Sequence, residues 1–219
     1  MTSHRDQSWT WETLLERPSL VLARGFVDSE QANSLLDELD RELPWQRPSL
    51  RLYGRTHLIP RQQVWMGDEG IRYRYSGQTF TSEPWHPAIA FLARRIKDCL
   101  TTRYLPKGLQ DSQAIKQMNV NSVLINRYTD GNERMGWHRD DEPELGPDPV
   151  IASVSLGAER PLRFRFRDRS RPSFNIWLPH GSLLLMGPGV QHELEHALLL
   201  KKSHGLRINL TFRHVFLRQ

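Results

Sequence analysis

The chain has 219 residues, 38% of them hydrophobic and 25% charged, with a formal net charge of +5 and a single cysteine, Cys99. That length supports one domain, or one domain with an N-terminal extension. No apolar run reaches the roughly 18 residues that span a bilayer, the opening residues lack a signal-peptide apolar stretch, and one cysteine excludes an intrachain disulfide and a thiolate-built zinc or iron–sulfur site.

The expectation is therefore a soluble intracellular protein, with any metal resting on histidines and carboxylates. Its positive charge gathers at Arg47, Arg51, Arg55 and Arg61, and again from Arg160 to Arg171. Arginine pairs bidentately with phosphate, so such clusters fit a polyanionic partner; a solvated basic surface is the simpler alternative.

In chain order, Asp28 is placed to cap a helix, with Gln31 three residues on and Leu35, Leu36, Leu39 and Leu43 at helical spacing. Pro44 and Pro48 end it. Short, turn-punctuated strands follow, around Tyr53-Gly54 and Gly67-Asp68-Glu69-Gly70. Pro87 opens a second helix whose Ile89, Leu92, Ala93, Ile96 and Leu100 share one face. Beyond residue 119 the period drops to two, giving strands from Val120 to Tyr128, Ile151 to Leu156, Leu162 to Arg167, Phe174 to Leu178, Ser182 to Met186 and Arg207 to Arg213. Leu162, Phe164 and Phe166 alternate with Arg163, Arg165 and Arg167, one side buried and the other wet or ligand-facing. Many short strands at this spacing favour a sandwich or jelly roll, so the fold class is mainly β with flanking helices, in one compact unit.

Two stretches carry candidate chemistry. His138 and Asp140 are two residues apart, so in an extended segment both side chains leave the same face and converge on one ion. A distant third imidazole would complete a two-His-one-carboxylate facial triad, which leaves open positions and points to non-haem Fe(II). His180, His192, His196 and His204 are the candidates for it. His138-Arg139-Asp140 also echoes a kinase catalytic loop, but the downstream Asn spacing, a DFG and a glycine-rich phosphate loop are missing. In the last strand Ile208, Leu210 and Phe212 share one face while Arg207, Asn209, Thr211 and Arg213 share the other. The two arginine Cα atoms lie roughly 20 Å apart, and inward-reaching guanidinium groups would leave a gap that fits a small dicarboxylate. Asn126 and Tyr128 repeat the same spacing on an earlier strand.

The order of these motifs resembles the AlkB family: Pro60-Arg61-Gln62, Tyr73-Arg74-Tyr75-Ser76-Gly77, Asn126-Arg127-Tyr128, His138-Arg139-Asp140-Asp141-Glu142, Ile151-Ala152-Ser153-Val154-Ser155, His180-Gly181-Ser182-Leu183 and Arg207-Ile208-Asn209-Leu210-Thr211-Phe212-Arg213. Within the family the chain is most similar to the branch that repairs alkylated DNA, duplex DNA included. The resemblance implies a double-stranded β-helix core over residues 106–219, with helices and a nucleotide-recognition lid over residues 1–105. It implies that His138, Asp140 and His196 bind Fe(II), with His192 the rival third ligand. Arg207 would then pair with the far carboxylate of 2-oxoglutarate, and Asn126, Tyr128, Asn209, Thr211 and Arg213 would complete that pocket. Tyr73 and Tyr75 would line the base pocket, Asp141, Glu142 and Arg61 would contact the damaged nucleotide, and Leu52, Tyr53 and Gly54 would form a hairpin tip that refills the gap left by an extruded base.

The implied reaction is oxidative demethylation of 1-methyladenine- or 3-methylcytosine-type bases in DNA. It consumes O2 and 2-oxoglutarate and releases succinate and formaldehyde. The expected partner is alkylated DNA, with RNA as the alternative, and no membrane. The protein is expected to be a monomer, in the cytoplasm if prokaryotic and in the nucleus if eukaryotic. Two rival classes are a dioxygenase of the same fold acting on RNA or a non-nucleic substrate, and a metal-free nucleic-acid-binding module.

Overall fold

A computed structural model of the chain describes residues 9–52, 55–75, 78–101, 105–202 and 205–216. The first half holds strands β1 (Trp11–Leu15) and β2 (Leu20–Ala23), helix α1 (Ser29–Glu42), strands β3 (Ser49–Leu52), β4 (Arg55–Leu58), β5 (Gln62–Gly67), β6 (Arg72–Tyr75) and β7 (Gln78–Thr81), and helix α2 (Pro87–Thr101). Short helices α3 (Lys107–Gln110) and α4 (Gln113–Gln117) lead into β8 (Ser122–Tyr128), β9 (Met135–His138), β10 (Ile151–Gly157), β11 (Arg160–Phe166), β12 (Phe174–Leu178) and β13 (Ser182–Met186). One turn of helix, α5 (Val190–Glu193), then runs directly into β14 (Leu194–Leu198), and β15 (Arg207–Arg213) closes the fold.

Local chemistry sets the helices as expected. The Asp28 carboxylate accepts the Gln31 N–H at 2.9 Å, capping α1, and the helix stops at Glu42 before Pro44. Pro87 occupies the first position of α2, where its missing N–H costs nothing.

The strands form a seven-stranded sheet in the order β1-β2-β13-β10-β15-β8-β5, facing a four-stranded sheet in the order β12-β11-β14-β9. All pairings within both sheets are antiparallel. Two hairpins stand apart, β3 with β4 and β6 with β7. The large sheet is buried on both sides, which explains why β13 reads as five consecutive buried residues: Leu183 and Leu185 pack under the helices, while Leu184 and Met186 face the small sheet.

The expected strands are present, with β12, β13 and β15 matching the expected residues and β11 beginning two residues early, at Arg160. The large sheet is not confined to the second half, since β1, β2 and β5 join it from the first. Strand β2, Leu-Val-Leu-Ala, is an unbroken apolar run too short for its period to distinguish strand from helix. Among the described residues no helix is long and apolar enough to cross a membrane.

The two cores divide by parity. Ile208, Leu210 and Phe212 of β15 join Val154 and Ile125 beneath α1 and α2, and Phe164, Ile176 and Leu194 of the small sheet meet Leu22 and Leu184 between the sheets. That inter-sheet core fills only the β2–β13 end of the sandwich; towards β15 and β8 the interior turns polar.

Gly181 joins this scaffold to α1. Its carbonyl accepts the Val27 N–H at 2.9 Å, its φ is +75°, and a Cβ there would lie 2.1 Å from the Val27 carbonyl oxygen. Gly181→Ala is expected to cost at least about 2 kcal/mol through the left-handed backbone and the clash. That corresponds to a fall in Tm of roughly 4–8 °C, to be read by thermal denaturation followed by circular dichroism.

Candidate active site

Strands β10, β15 and β8 run side by side, and their register aligns their polar residues on the face towards the small sheet. Asn209 lies between Ser155 and Asn126, Thr211 is opposite Ser153, and Arg207 is opposite Tyr128. The small sheet supplies the other wall. His138 of β9 and His196 of β14 are direct cross-strand partners, with ring centroids 4.2 Å apart. Asp140, two residues past His138, reaches the same spot, and one ligand atom from each of His138, Asp140 and His196 lies within 4.8 Å of the others.

The electrostatics suit a cation at that point. The His138 Nδ1–H donates to the Gly136 carbonyl at 2.8 Å, which fixes the tautomer and leaves Nε2 with its lone pair. Burial, reinforced by His138 and Arg213, pushes His196 down to about 3, so its imidazole is neutral. Burial alone would raise the Asp140 carboxyl, but Arg213 and the two histidines outweigh it and hold the carboxyl below its usual range. Arg213 Nη2 donates to Asp140 Oδ1 at 2.7 Å, leaving Oδ2 towards His196 Nε2 at 3.9 Å. Two imidazole nitrogens and one carboxylate oxygen are the donor set of a facial triad. The other histidines point elsewhere: His192 Nε2 donates to the Pro147 carbonyl, and His180 Nδ1 accepts the Gly157 N–H. His204 lies outside the described residues. A second grouping, Glu38, Glu42 and His86, sits at the surface, where a His86–Glu42 hydrogen bond at 3.2 Å accounts for it.

Two cavities meet at His138 and Asp140. The inner one, about 30 Å³, is lined by Asn126, Tyr128, Arg207, Asn209, Thr211 and Arg213 among others. Arg207 is 2% exposed and donates through Nη2 to Ser155 Oγ at 2.9 Å, yet its Nε and Nη1 are buried with no hydrogen-bond partner among the described residues. Burial lowers its pKa to about 10, so the guanidinium stays charged at neutral pH. Two buried donors on a cation fit a carboxylate. Arg213 lines the same cavity while its Nη2 is ion-paired to Asp140, so the two arginines of β15 are held differently. Asn209 also spends its amide on Ser153 Oγ and the Val154 carbonyl, tying β15 to β10.

The outer cavity, about 90 Å³, is lined by Gln63, Val64, Trp65, Leu124, Met135 and Glu142 together with Arg61 and Arg139. Arg61 was expected in a surface phosphate-gripping cluster. Instead it is 5% exposed and donates to Asn126 Oδ1 at 2.7 Å. Arg160 departs from that expectation too: it is 1% exposed, donates to the Asp130 and Leu199 carbonyls and lies over the Tyr128 ring. Asp141 is exposed and ion-paired with Arg139. Strand β3 pairs with β4 out to Leu52 opposite Arg55, so Leu52 ends a hairpin arm, while Tyr53 and Gly54 lie outside the described residues. Tyr73 and Tyr75 fall on β6, with only their backbones described. Trp65, Gln63 and Gln191 were not foreseen. Gln63 and Trp65 share the parity of β5 that faces the cavity, a signal the sequence does contain.

Most of the chain matches known proteins. Residues 19–213 match the family model described as the 2OG-Fe(II) oxygenase superfamily. A solved structure of OsALKBH1 superposes with a TM-score of 0.58 at 16% identity, covering 89% of this chain and 96% of that one. These define the class as an oxygenase with a jelly-roll core. The chain is 35% identical over 196 residues to DNA oxidative demethylase ALKBH2 of Mus musculus, covering 84% of this chain and 75% of the mouse protein. It is 37% identical over 198 residues to the Homo sapiens ALKBH2, covering 85% and 70%. With alpha-ketoglutarate-dependent dioxygenase alkB homolog 3 of Bos taurus it shares 35% identity over 211 residues, covering 90% and 66%. The chain belongs to the AlkB family of 2OG-Fe(II) oxygenases, dioxygenases that use Fe(II), 2-oxoglutarate and O2.

The buried imidazole gives the metal-free protein a defined acid sensitivity. Between about pH 6.5 and 3 the unfolded chain protonates His196 while the folded chain does not, so stability falls as pH drops through that window. The limiting slope is about 1.4 kcal/mol per pH unit for one proton. Asp140, held below its unfolded value, keeps its stabilising contribution until pH falls below about 3.8. His180 and His214, also lowered by burial, add to the slope. His196→Leu is expected to remove one proton's worth of it, measured by urea denaturation of metal-free protein between pH 7.5 and 4.

Proposed function

We propose that the chain is an oxidative demethylase of N-alkylated bases in DNA, of the 1-methyladenine and 3-methylcytosine type, with His138, Asp140 and His196 holding Fe(II) and Arg207 anchoring 2-oxoglutarate. The observation that carries this reading is the meeting of two cavities at one His-Asp-His cluster, the inner walled by a buried arginine with donors unpartnered among the described residues and the outer by Trp65 and apolar side chains. The names of the relatives support DNA as the substrate. Bound iron, with 2-oxoglutarate and O2, supplies the oxidant that hydroxylates the methyl carbon; the hydroxymethyl product loses formaldehyde, and the cosubstrate leaves as succinate and carbon dioxide.

The chain's own residues position and protect. Arg207, charged and buried, takes the far carboxylate, and Asn126, Tyr128 and Thr211 shape the remainder of that pocket. Arg213 keeps Asp140 ionised and aimed. Trp65, Val64, Leu124 and Met135 give the outer cavity a wall that excludes water from the reacting carbon. A base inside a duplex cannot reach this depth, so it must be extruded or come from a single strand. Glu142 borders the outer cavity, and Arg61, Asp141, Tyr73 and Tyr75 are assigned to the same nucleotide. Leu52, Tyr53 and Gly54 are assigned to fill the vacated stack.

Formaldehyde release is the direct test, on methylated oligonucleotides, single-stranded and duplex, DNA and RNA. His138→Ala, Asp140→Ala and His196→Ala should each reduce it to background, since two ligands bind Fe(II) weakly, whereas His192→Ala should retain it. Full activity in His196→Ala would overturn the ligand assignment, and turnover on RNA but not DNA would overturn the substrate.

The cosubstrate assignment has its own readout. Lysine offers a compact point charge in place of a planar guanidinium with several fixed donors, so Arg207→Lys should raise the KM for 2-oxoglutarate at least tenfold while the KM for DNA stays within about twofold. An unchanged 2-oxoglutarate KM would show that the anchor lies elsewhere.

A further inference from the structure

Asp140 sits two residues beyond the end of β9, where the sheet no longer supports it. Strand β14 pairs with β9 only at His196–His138 and Leu198–Met135, with a register shift between them. The Asp140 backbone is nevertheless buried, and a buried N–H requires an acceptor. It donates to the side-chain carbonyl of Gln191 at 3.0 Å. Gln191 is itself fully buried in α5; its Nε2 faces Met186 Sδ at 3.6 Å, and its own backbone carbonyl accepts from Arg139 Nη1 at 3.4 Å. Two successive residues of the His138–Asp140 segment are therefore tied to one residue, and the same piece of chain carries His196 five residues later.

We infer that Gln191 is a positioning residue for the metal centre: its carboxamide takes the place of the missing ladder bond and fixes the Asp140 main chain relative to His196. The inference rests on the reading that His138, Asp140 and His196 hold the ion. Arg213 fixes the carboxylate through Oδ1, and Gln191 fixes the backbone that bears it. With both ends held, Oδ2 is left facing His196 Nε2. The residue type follows from the chemistry. A leucine or methionine would fill the volume and leave the amide unpaired, an asparagine is one methylene too short, and a glutamate would accept the hydrogen bond but bring a second anion to Asp140. A long, neutral acceptor is what the position requires.

The probe is Mn(II) alone, titrated into the metal-free protein and followed by the electron paramagnetic resonance signal of the free ion. Gln191→Met should raise the dissociation constant for Mn(II) tenfold or more, the range seen when partners of metal ligands are removed. Ile115→Val, a core change in α4 away from the site, serves as the stability control and should leave the constant unchanged. An Mn(II) affinity within twofold of the unaltered protein in Gln191→Met would overturn the inference, as would an equal loss in Ile115→Val. His196→Ala separates the two readings: if it abolishes Mn(II) binding while Gln191→Met does not, only the role of Gln191 fails, and if it leaves binding intact, the metal site itself is wrong. Hydrogen exchange on the unaltered protein gives a test that needs no variant to fold. The Asp140 amide, outside any strand, should exchange as slowly as the amides of β14, and exchange at the rate of an exposed loop would overturn the inference.

Discussion

The ion pair between Arg213 and Asp140 is the contact on which this molecule is built. Both side chains are 4% exposed, one at the end of the last strand of the large sheet and the other just past the edge strand of the small one. Breaking such a pair from one side strands a charge in the interior, at a cost of about 3–5 kcal/mol. It links the two sheets at the end where the large sheet turns polar residues inward. It also determines the protonation of Asp140 and which of its oxygens faces His196. The geometry that completes the fold is therefore the geometry that assembles the site, and neither can be relaxed without the other.

The interior of the sandwich is divided rather than uniform. At the β2–β13 end the sheets meet through Leu22, Leu184, Phe164 and Ile176, and at the β15–β8 end the charged and amide groups of the large sheet face Met135, Leu162 and Leu198 of the small one across the inner cavity. Two fully buried arginines in the polar half show how differently a buried cation can be treated. Arg160 is held by two main-chain carbonyls and an aromatic face, with only its Nε lacking a partner among the described residues. Arg207 has one serine hydroxyl and two further donors without a protein acceptor among the described residues. Desolvation without compensation is costly, so the first arginine is accounted for mainly by the architecture, while the second is the one that the proposed cosubstrate would complete.

Much of this was legible because β-strands have period two. The alternation of Arg207, Asn209, Thr211 and Arg213 with Ile208, Leu210 and Phe212 assigns each side chain to a face, and the structure places those faces between the sheets and under the helices as the alternation requires. His138 and Asp140 do converge, but Asp140 lies beyond the end of β9, so strand period alone does not place it. What spacing could not supply was the third imidazole, because it arrives from β14, and which strand lies beside β9 is decided by sheet order. Gln191 was invisible for a similar reason: its importance comes from a single hydrogen bond across 51 residues of sequence.

The two arginines assigned too early to the surface carry a further lesson, since the rule that placed β15 correctly also applied to them. Arg160 has the parity of Phe164 and Phe166, which face inward, whereas Arg163, Arg165 and Arg167 have the other parity and face outward. Arg61 has the parity of Gln63 and Trp65, which line the outer cavity. Counting charge along the chain treats these arginines as equivalent, while counting it along each strand face separates those that build the interior from those that meet solvent. Arg61, Arg160, Arg207 and Arg213 are all buried, so a sizeable part of the formal positive charge never reaches the surface. On the outer face of the small sheet, Arg165 and Arg169 are moreover paired with Glu195. Attraction to a polyanion by this protein is consequently a property of particular exposed arginines and their partners, and net charge is a poor measure of it.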